Sequence, residues 1–171
     1  MKKWVWIIFL IIILILIYKI YNLYIIKHAS NKEVDIFPKI EFKGIQNNIV
    51  NSNFLKPHSE IILTYFNTEC NHCQEEFAQL IENYNQIKQF NIILVSSQNI
   101  EELKKFYYQN NLSDYPDILL LGCDYLDLQH YLGNPIIPST WIYGENGKMI
   151  KKYSGEVSLS IILSVLKNDK K

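Results

Sequence analysis

The chain has 171 residues, 49% of them AVILMFWYC, and its 17 lysines balance 17 acids with no arginine anywhere. That length holds one domain of ordinary size, and the apolar content excludes a disordered chain. Zero net charge argues against a nucleic-acid binder working by bulk charge, the lack of arginine removes any planar guanidinium clamp, and three cysteines are too few for a disulfide scaffold or a closed four-cysteine metal site.

Trp4 to Tyr18 is apolar without a break, and after Lys19 the run resumes from Ile20 to Ile26 with only Asn22 polar. As one helix, residues 4–26 would be about 34 Å long, against about 30 Å of bilayer hydrocarbon. Trp4 and Trp6 at one end, and Tyr18, Tyr21 and Tyr24 near the other, suit the two interfaces, and Lys19 can snorkel. The run predicts a single-pass anchor in membrane lipid at 4–26 and a polar tether at 27–35. Lys2 and Lys3 would also open a cleaved signal peptide, but the small residues Ala29 and Ser30 have Lys27 or His28 at the matching upstream cleavage position. A buried core helix is the remaining reading. Lysines flank the run on both sides, so charge does not decide its orientation.

Four of the 17 lysines precede residue 28 and all 17 acids follow it, which leaves the predicted domain, 36–167, mildly acidic. Ile40 to Phe42, a turn at Lys43-Gly44 and Ile45 to Val50 read as a short hairpin. Ile61 to Phe66 reads as a buried strand, and Phe77, Leu80, Ile81, Tyr84 and Ile87 carry helical spacing across Cys70–Gln89. A strand at Ile92–Val95 precedes a helix opened by Asn99 with Glu102 three residues on and running through Tyr108. A strand at Ile118–Leu121, a helix at Tyr125–Leu132, a hairpin of Thr140–Tyr143 and Met149–Tyr153 turning at Glu145-Asn146-Gly147, and a helix at Val157–Leu166 complete the chain. The pattern predicts an α/β fold: a central mixed sheet covered by helices on both faces.

Cys70-Asn71-His72-Cys73 falls between the first buried strand and the long helix. A cysteine at a helix N-terminus meets free N–H groups and the positive dipole end, which favour the thiolate, the attacking species. The spacing returns the second sulfur to bonding reach one turn on. Cys70 is therefore the expected exposed nucleophile and Cys73 the buried resolving thiol. His72 has two readings: an imidazole that stabilises the Cys70 thiolate and raises the reduction potential, or a solvent-exposed residue of the first turn. Glu76, three residues after Cys73, shares its helix face and can relay a proton; alternatively Glu75 and Glu76 merely answer the helix dipole. Cys123 reads as a small buried apolar residue, with a third redox thiol as the sharper option. A metal site combining Cys70, Cys73, Cys123 and His58, His72 or His130 has none of the usual spacings, so no metal is expected. From the residues alone Pro138 is an ordinary turn proline.

The dithiol after a strand, Glu76, Ile137-Pro138-Ser139-Thr140 before a strand and Glu145-Asn146-Gly147-Lys148 in a hairpin together resemble the thioredoxin-like superfamily. The closest resemblance is to its membrane-anchored thiol-disulfide oxidoreductase branch, the TlpA-like and redoxin families, over residues 36–167. The resemblance implies a redox-active Cys70–Cys73 pair, Pro138 as a cis-proline facing it, a substrate strand held by the Ile137–Pro138 backbone, and Glu76 as that branch's acid on the active-site helix. Departures are Glu69 where the branch usually has Trp, Asn71-His72 inside the motif, and Thr64 where thioredoxin has a buried acid. Glu69 sets a negative charge beside the thiolate; His72 opposes it and predicts a couple less reducing than about −270 mV. Peroxiredoxins resemble a Thr-x-x-Cys pattern with an arginine partner, and here Thr68 stands two before Cys70.

The expected protein is a membrane-tethered, CxxC-bearing thiol-disulfide oxidoreductase without cofactor. Its partners are protein thiol or disulfide substrates and a membrane dithiol donor or acceptor, with no nucleic acid. The resemblance and the tether place it on the cytoplasmic membrane with its domain outside, in the periplasm. The alternatives are an anchored binding module with an idle dithiol, and a thiol peroxidase.

Overall fold

The computed structural model describes residues 4, 6, 11–21, 36–51 and 55–169. The chain divides into two units, Met1–Glu33 and Val34–Lys171. In the first, residues 11–21 form helix α1, with Leu14, Ile17 and Tyr18 among its exposed side chains. Among the described residues no helix is long and apolar enough to cross a membrane. Much of the anchor expected at 4–26, and the tether expected at 27–35, lie outside the described residues.

The second unit carries one mixed sheet of seven strands in the order β2-β1-β5-β4-β3-β6-β7. In chain order its elements are β1 (Phe42–Gly44), β2 (Ile49–Val50), β3 (Ile61–Tyr65), α2 (Asn71–Glu82), α3 (Tyr84–Ile87), β4 (Asn91–Ser96), α4 (Ile100–Gln109), a 3-10 turn (Leu112–Asp114), β5 (Ile118–Gly122), α5 (Tyr125–Leu132), β6 (Ser139–Tyr143), β7 (Met149–Ser154) and α6 (Leu159–Asp169). β3, β4 and β5 run parallel, while β1 and β6 join antiparallel on either side.

β3 and β4 are buried along their whole length, as strands covered on both faces must be. Their side chains alternate between two cores. Ile62, Phe66, Ile92 and Leu94 pack under α2, α4 and α6 through Phe77, Leu80, Leu103, Phe106 and Ile162. Ile61, Leu63, Ile93 and Val95 pack on the other face against Phe37, Ile40 and Leu128.

Three expectations shift. The first hairpin turns later than Lys43-Gly44: Gly44 N–H donates to Asn48 O at 2.8 Å, and Asn47 takes φ 60°. A Cβ on Gly44 would stand 2.4 Å from Asn48 Oδ1, so a larger residue there would have to displace the exposed Asn48 side chain. The helix expected over Cys70–Gln89 breaks at Asn83, whose side-chain amide donates to Gln79 O at 2.9 Å and competes with the backbone ladder. The last helix starts at Leu159 rather than Val157, and the Val157 amide bonds instead to Glu76 of α2.

Candidate active site

β3 ends inside the sheet, and the chain must turn from Phe66 to α2 within a few residues. Gln98, just past β4, holds that turn. Its Oε1 accepts from Thr68 N–H at 2.8 Å and its Nε2 donates to Thr68 Oγ1 at 3.0 Å, while Ser96 Oγ braces Gln98 in turn. Asn67 Oδ1 accepts from Glu69 N–H at 2.7 Å, and Gln74 Nε2 closes the loop onto Thr68 O at 2.7 Å. These bonds set Cys70 as the N-cap of α2, with extended φ −84° and ψ 118° and no side-chain cap bond. The half-buried Cys70 sulfur thus sits where the first-turn amides lack helical partners.

Cys73, one turn on, is 3% exposed. Both are free thiols. Burial first, then a hydrogen bond with Cys70 and the charges of Cys70 and Glu76, push the Cys73 thiol up to about 12, against a smaller opposing contribution from the Asn67 backbone. The pair is therefore asymmetric: one accessible sulfur, and one buried thiol that keeps its proton.

Glu76 is buried on the same face of α2. Its Oε1 accepts from Val157 N–H at 2.6 Å. Burial and the nearby charge of Glu156 push its carboxyl up to about 7, while the Val157 amide and His72 hold it down. It can take a proton near neutrality. Glu76 is thus a buried, amide-held carboxyl rather than an exposed acid of the first turn.

His72 is exposed, and its Nδ1 lies 2.6 Å from Glu156 Oε2. Glu156 was not among the residues the sequence singles out. It stands 84 positions away in the loop after β7, and no local pattern marks it. With Gly155 N–H donating to Pro138 O at 2.8 Å, three consecutive residues, Gly155, Glu156 and Val157, touch the proline loop, His72 and Glu76. Gly155 takes φ 92°, a conformation suited to glycine, where this segment turns.

The Ile137–Pro138 bond is cis. Ser139 pairs with Tyr65 across β6 and β3, so this loop and the dithiol loop leave the sheet at the same end. Ile137 is 40% exposed and Pro138 is buried. Glu69 and Asn71 are exposed beside the dithiol. Thr64, where an acid was noted as missing, lies 3.0 Å from Thr140 through their hydroxyls, a buried neutral pair on the α2 side of the sheet.

Cys123 packs in the other core, across the sheet from Cys73. Burial and the charges of Asp127 and Asp124 push its thiol up to about 12. The mixed cysteine site is therefore not assembled. Among the described residues, the donor atoms of His72, Glu75 and Glu156 lie within 4.8 Å of one another, all three residues exposed.

The profile of the AhpC/TSA family matches residues 34–156. No curated protein matches the chain. Among solved structures, StoA from Bacillus subtilis superposes with TM-score 0.57 at 16% identity, covering 77% of this chain and 98% of its own. A putative thioredoxin from Neisseria meningitidis gives TM-score 0.64 at 16% identity over 80% and 90%. A thiol peroxidase from Chromobacterium violaceum gives 0.65 at 13% over 81% and 87%. At such identities the shared property is the thioredoxin-like fold.

Proposed function

This chain belongs to the AhpC/TSA family, whose redoxin fold supports oxidoreductase activity, and from that premise we propose that it is a membrane-tethered thiol-disulfide oxidoreductase acting on protein substrates. The observation that carries the reading is the asymmetry of two adjacent thiols at one helix N-terminus, with a buried carboxyl that titrates near neutrality on the same face. The Cys70 thiolate attacks one sulfur of a partner disulfide. A Cys70–partner bond forms, the partner S–S bond breaks, and the leaving sulfur takes a proton. The Cys73 thiol then gives its proton to Glu76 and attacks Cys70 sulfur, forming the Cys70–Cys73 disulfide and expelling the second partner thiol. Two electrons and two protons pass to the partner, and a membrane dithiol donor restores the reduced pair. Run backwards, the same steps oxidise a partner dithiol.

Ile137, 40% exposed, is the residue of this loop proposed to meet the substrate strand; the Pro138 carbonyl is already taken by Gly155. The apolar run at 4–26 and the exposed apolar side chains of α1 support a single-pass anchor, while its placement in the cytoplasmic membrane with the domain outside leans on the resemblance and the tether. Alkaline extraction and protease protection of intact cells test this placement.

The first experiment is the reduction potential of the Cys70–Cys73 couple in the full chain, held in neutral detergent, against glutathione and dithiothreitol series. A value at or below about −270 mV marks a reductant, and one between about −180 and −120 mV an oxidase or isomerase. No reversible couple, with Cys70→Ser/Cys73→Ser keeping function in cells, would leave a binding module. The thiol peroxidase neighbour motivates the second reading, which hydrogen peroxide consumption by the reduced chain would establish.

A further inference from the structure

The dithiol loop forms one end of a groove of about 660 Å³ between α2 and α4, within the range of true ligand sites, about 300–1,000 Å³. Thr68 and Glu69, immediately before Cys70, line that end. Phe77, Ile81 and Phe106 supply apolar surface. Exposed Glu69, Glu82 and Glu102 stand around it, with Lys105 the single cation of the lining. Among the described residues, the ion pairs are Lys56–Asp117, His72–Glu156 and Lys104–Glu101, so none of the three groove carboxylates is neutralised by a cation. Glu102 accepts only a neutral amide hydrogen bond, from Gln98.

We propose that this groove docks a lysine-bearing segment of the protein whose disulfide Cys70 attacks. The inference rests on the exchange reading and names the chemistry of its partner. A lysine side chain matches the lining in both its parts: its methylene stem covers apolar surface while its ammonium reaches a carboxylate. The groove ends at the dithiol loop, so a chain lying in it delivers its sulfur to Cys70 without a detour. Exposed charges of this kind act mainly on the encounter rate and fade with salt.

The test uses the reduced full chain in neutral detergent and three disulfide-bonded peptides that differ only in carrying lysine, glutamine or glutamate beside the cystine. Bis(2-hydroxyethyl) disulfide serves as an uncharged substrate too small for the groove. The lysine peptide should exceed the glutamate peptide by about tenfold in the single-turnover second-order rate constant at low ionic strength, with the gap closing as salt rises toward about 0.5 M. Glu82→Lys/Gln109→Lys should remove most of that gap and leave the rate with the small disulfide unchanged. Lysine at position 82 sits at the C-terminal end of α2, where a cation is welcome. Equal rates for the three peptides, or a preference that survives in the double variant, would overturn the docking assignment while exchange itself stands. No reaction with the small disulfide would instead overturn the exchange reading, and the groove assignment with it. The peptide and salt series need no variant, so the outcome is independent of how the substitutions fold.

Discussion

Glu156 and His72 meet at 2.6 Å, and the residue after Glu156 gives its amide to Glu76 at the same distance. One dipeptide thus holds two polar side chains of α2 around the dithiol, His72 and Glu76. The two contacts are coupled through charge, since Glu156 raises the Glu76 carboxyl and His72 lowers it. On the proposed exchange, Glu156 is accordingly a positioning residue that tunes the carboxyl meant to take the Cys73 proton. Glu156→Gln removes the raising charge, so Glu76 should ionise at lower pH. Closure of the Cys70–Cys73 disulfide from a mixed disulfide should then be about two- to threefold faster near pH 6 and little changed near pH 8, with Glu156→Asp restoring the native profile. Stopped-flow release of a chromogenic thiol across pH reads this directly. A profile identical to that of the native chain would show that Glu156 only shapes the loop.

The raised Glu76 carboxyl is also a statement about stability. Its range moves from an ordinary 4.5 up to about 7, chiefly through burial. Between those values the folded protein keeps a proton that the unfolded chain has lost. Stability therefore falls as pH rises through this window and levels off above it, with a total change on the order of 3 kcal/mol from this one group. Glu76→Gln keeps an oxygen for the Val157 amide and removes the titration. It should be more stable than the native chain at pH 8, and its urea midpoint should lose this component of the slope between about pH 4.5 and 7. The same variant should close its disulfide about a hundredfold more slowly at pH 8, because the proton acceptor is gone.

Much of this site was legible because it is local. The strand before Cys70, the spacing to Cys73 and the apolar face of Phe77, Leu80 and Ile87 all lie within one stretch of chain, and each obeys a single periodicity. Asn99 announced its helix because a cap is a local bond, to Glu102 N–H at 2.9 Å. The misses are non-local. Glu156 acts on a residue 84 positions away, and Val157 on one 81 positions away. Nothing in the string Gly155-Glu156-Val157 distinguishes it from an ordinary loop. The break at Asn83 was missed because apolar spacing continued through it while the Asn side chain rewired the backbone. The groove of α2 and α4 was equally invisible, since it exists only once two helices pack on the same face of the sheet.

Thiol reactivity separates the three cysteines. Cys73 and Cys123 are buried and both are pushed up to about 12, so near pH 7.5 their thiolate fractions are negligible. The native reduced chain should take up a single equivalent of iodoacetamide quickly, at Cys70, and all three equivalents only after unfolding. Peptide mass mapping assigns the site. Cys70→Ser should abolish the fast phase, whereas Cys73→Ser should leave it in place. Fast labelling of Cys123 would restore it as a third redox thiol.

Gln98 is the remaining link between sheet and dithiol. It lies two residues past the end of β4, and its side chain satisfies the Thr68 amide and hydroxyl and reaches Glu102. Gln98→Ala strips the half-buried Thr68 N–H of its partner, a loss worth about 1–3 kcal/mol where water cannot replace it. It also frees the residues that set Cys70 as the N-cap. The variant should lose about that much stability in urea and exchange disulfides more slowly, with alkylation of Cys70 changed less than closure onto Cys73. That ordering follows from geometry: alkylation needs only an accessible sulfur, whereas closure needs two sulfurs held one turn apart. Gln98→Glu keeps the oxygen that accepts from Thr68 N–H but loses the amide that donates to Thr68 Oγ1 and sets a carboxylate against Glu102, so its stability should also fall below that of the native chain. Equal slowing of both reactions would locate the effect in general loosening of the loop and remove Gln98 from the chain of contacts that aligns the dithiol.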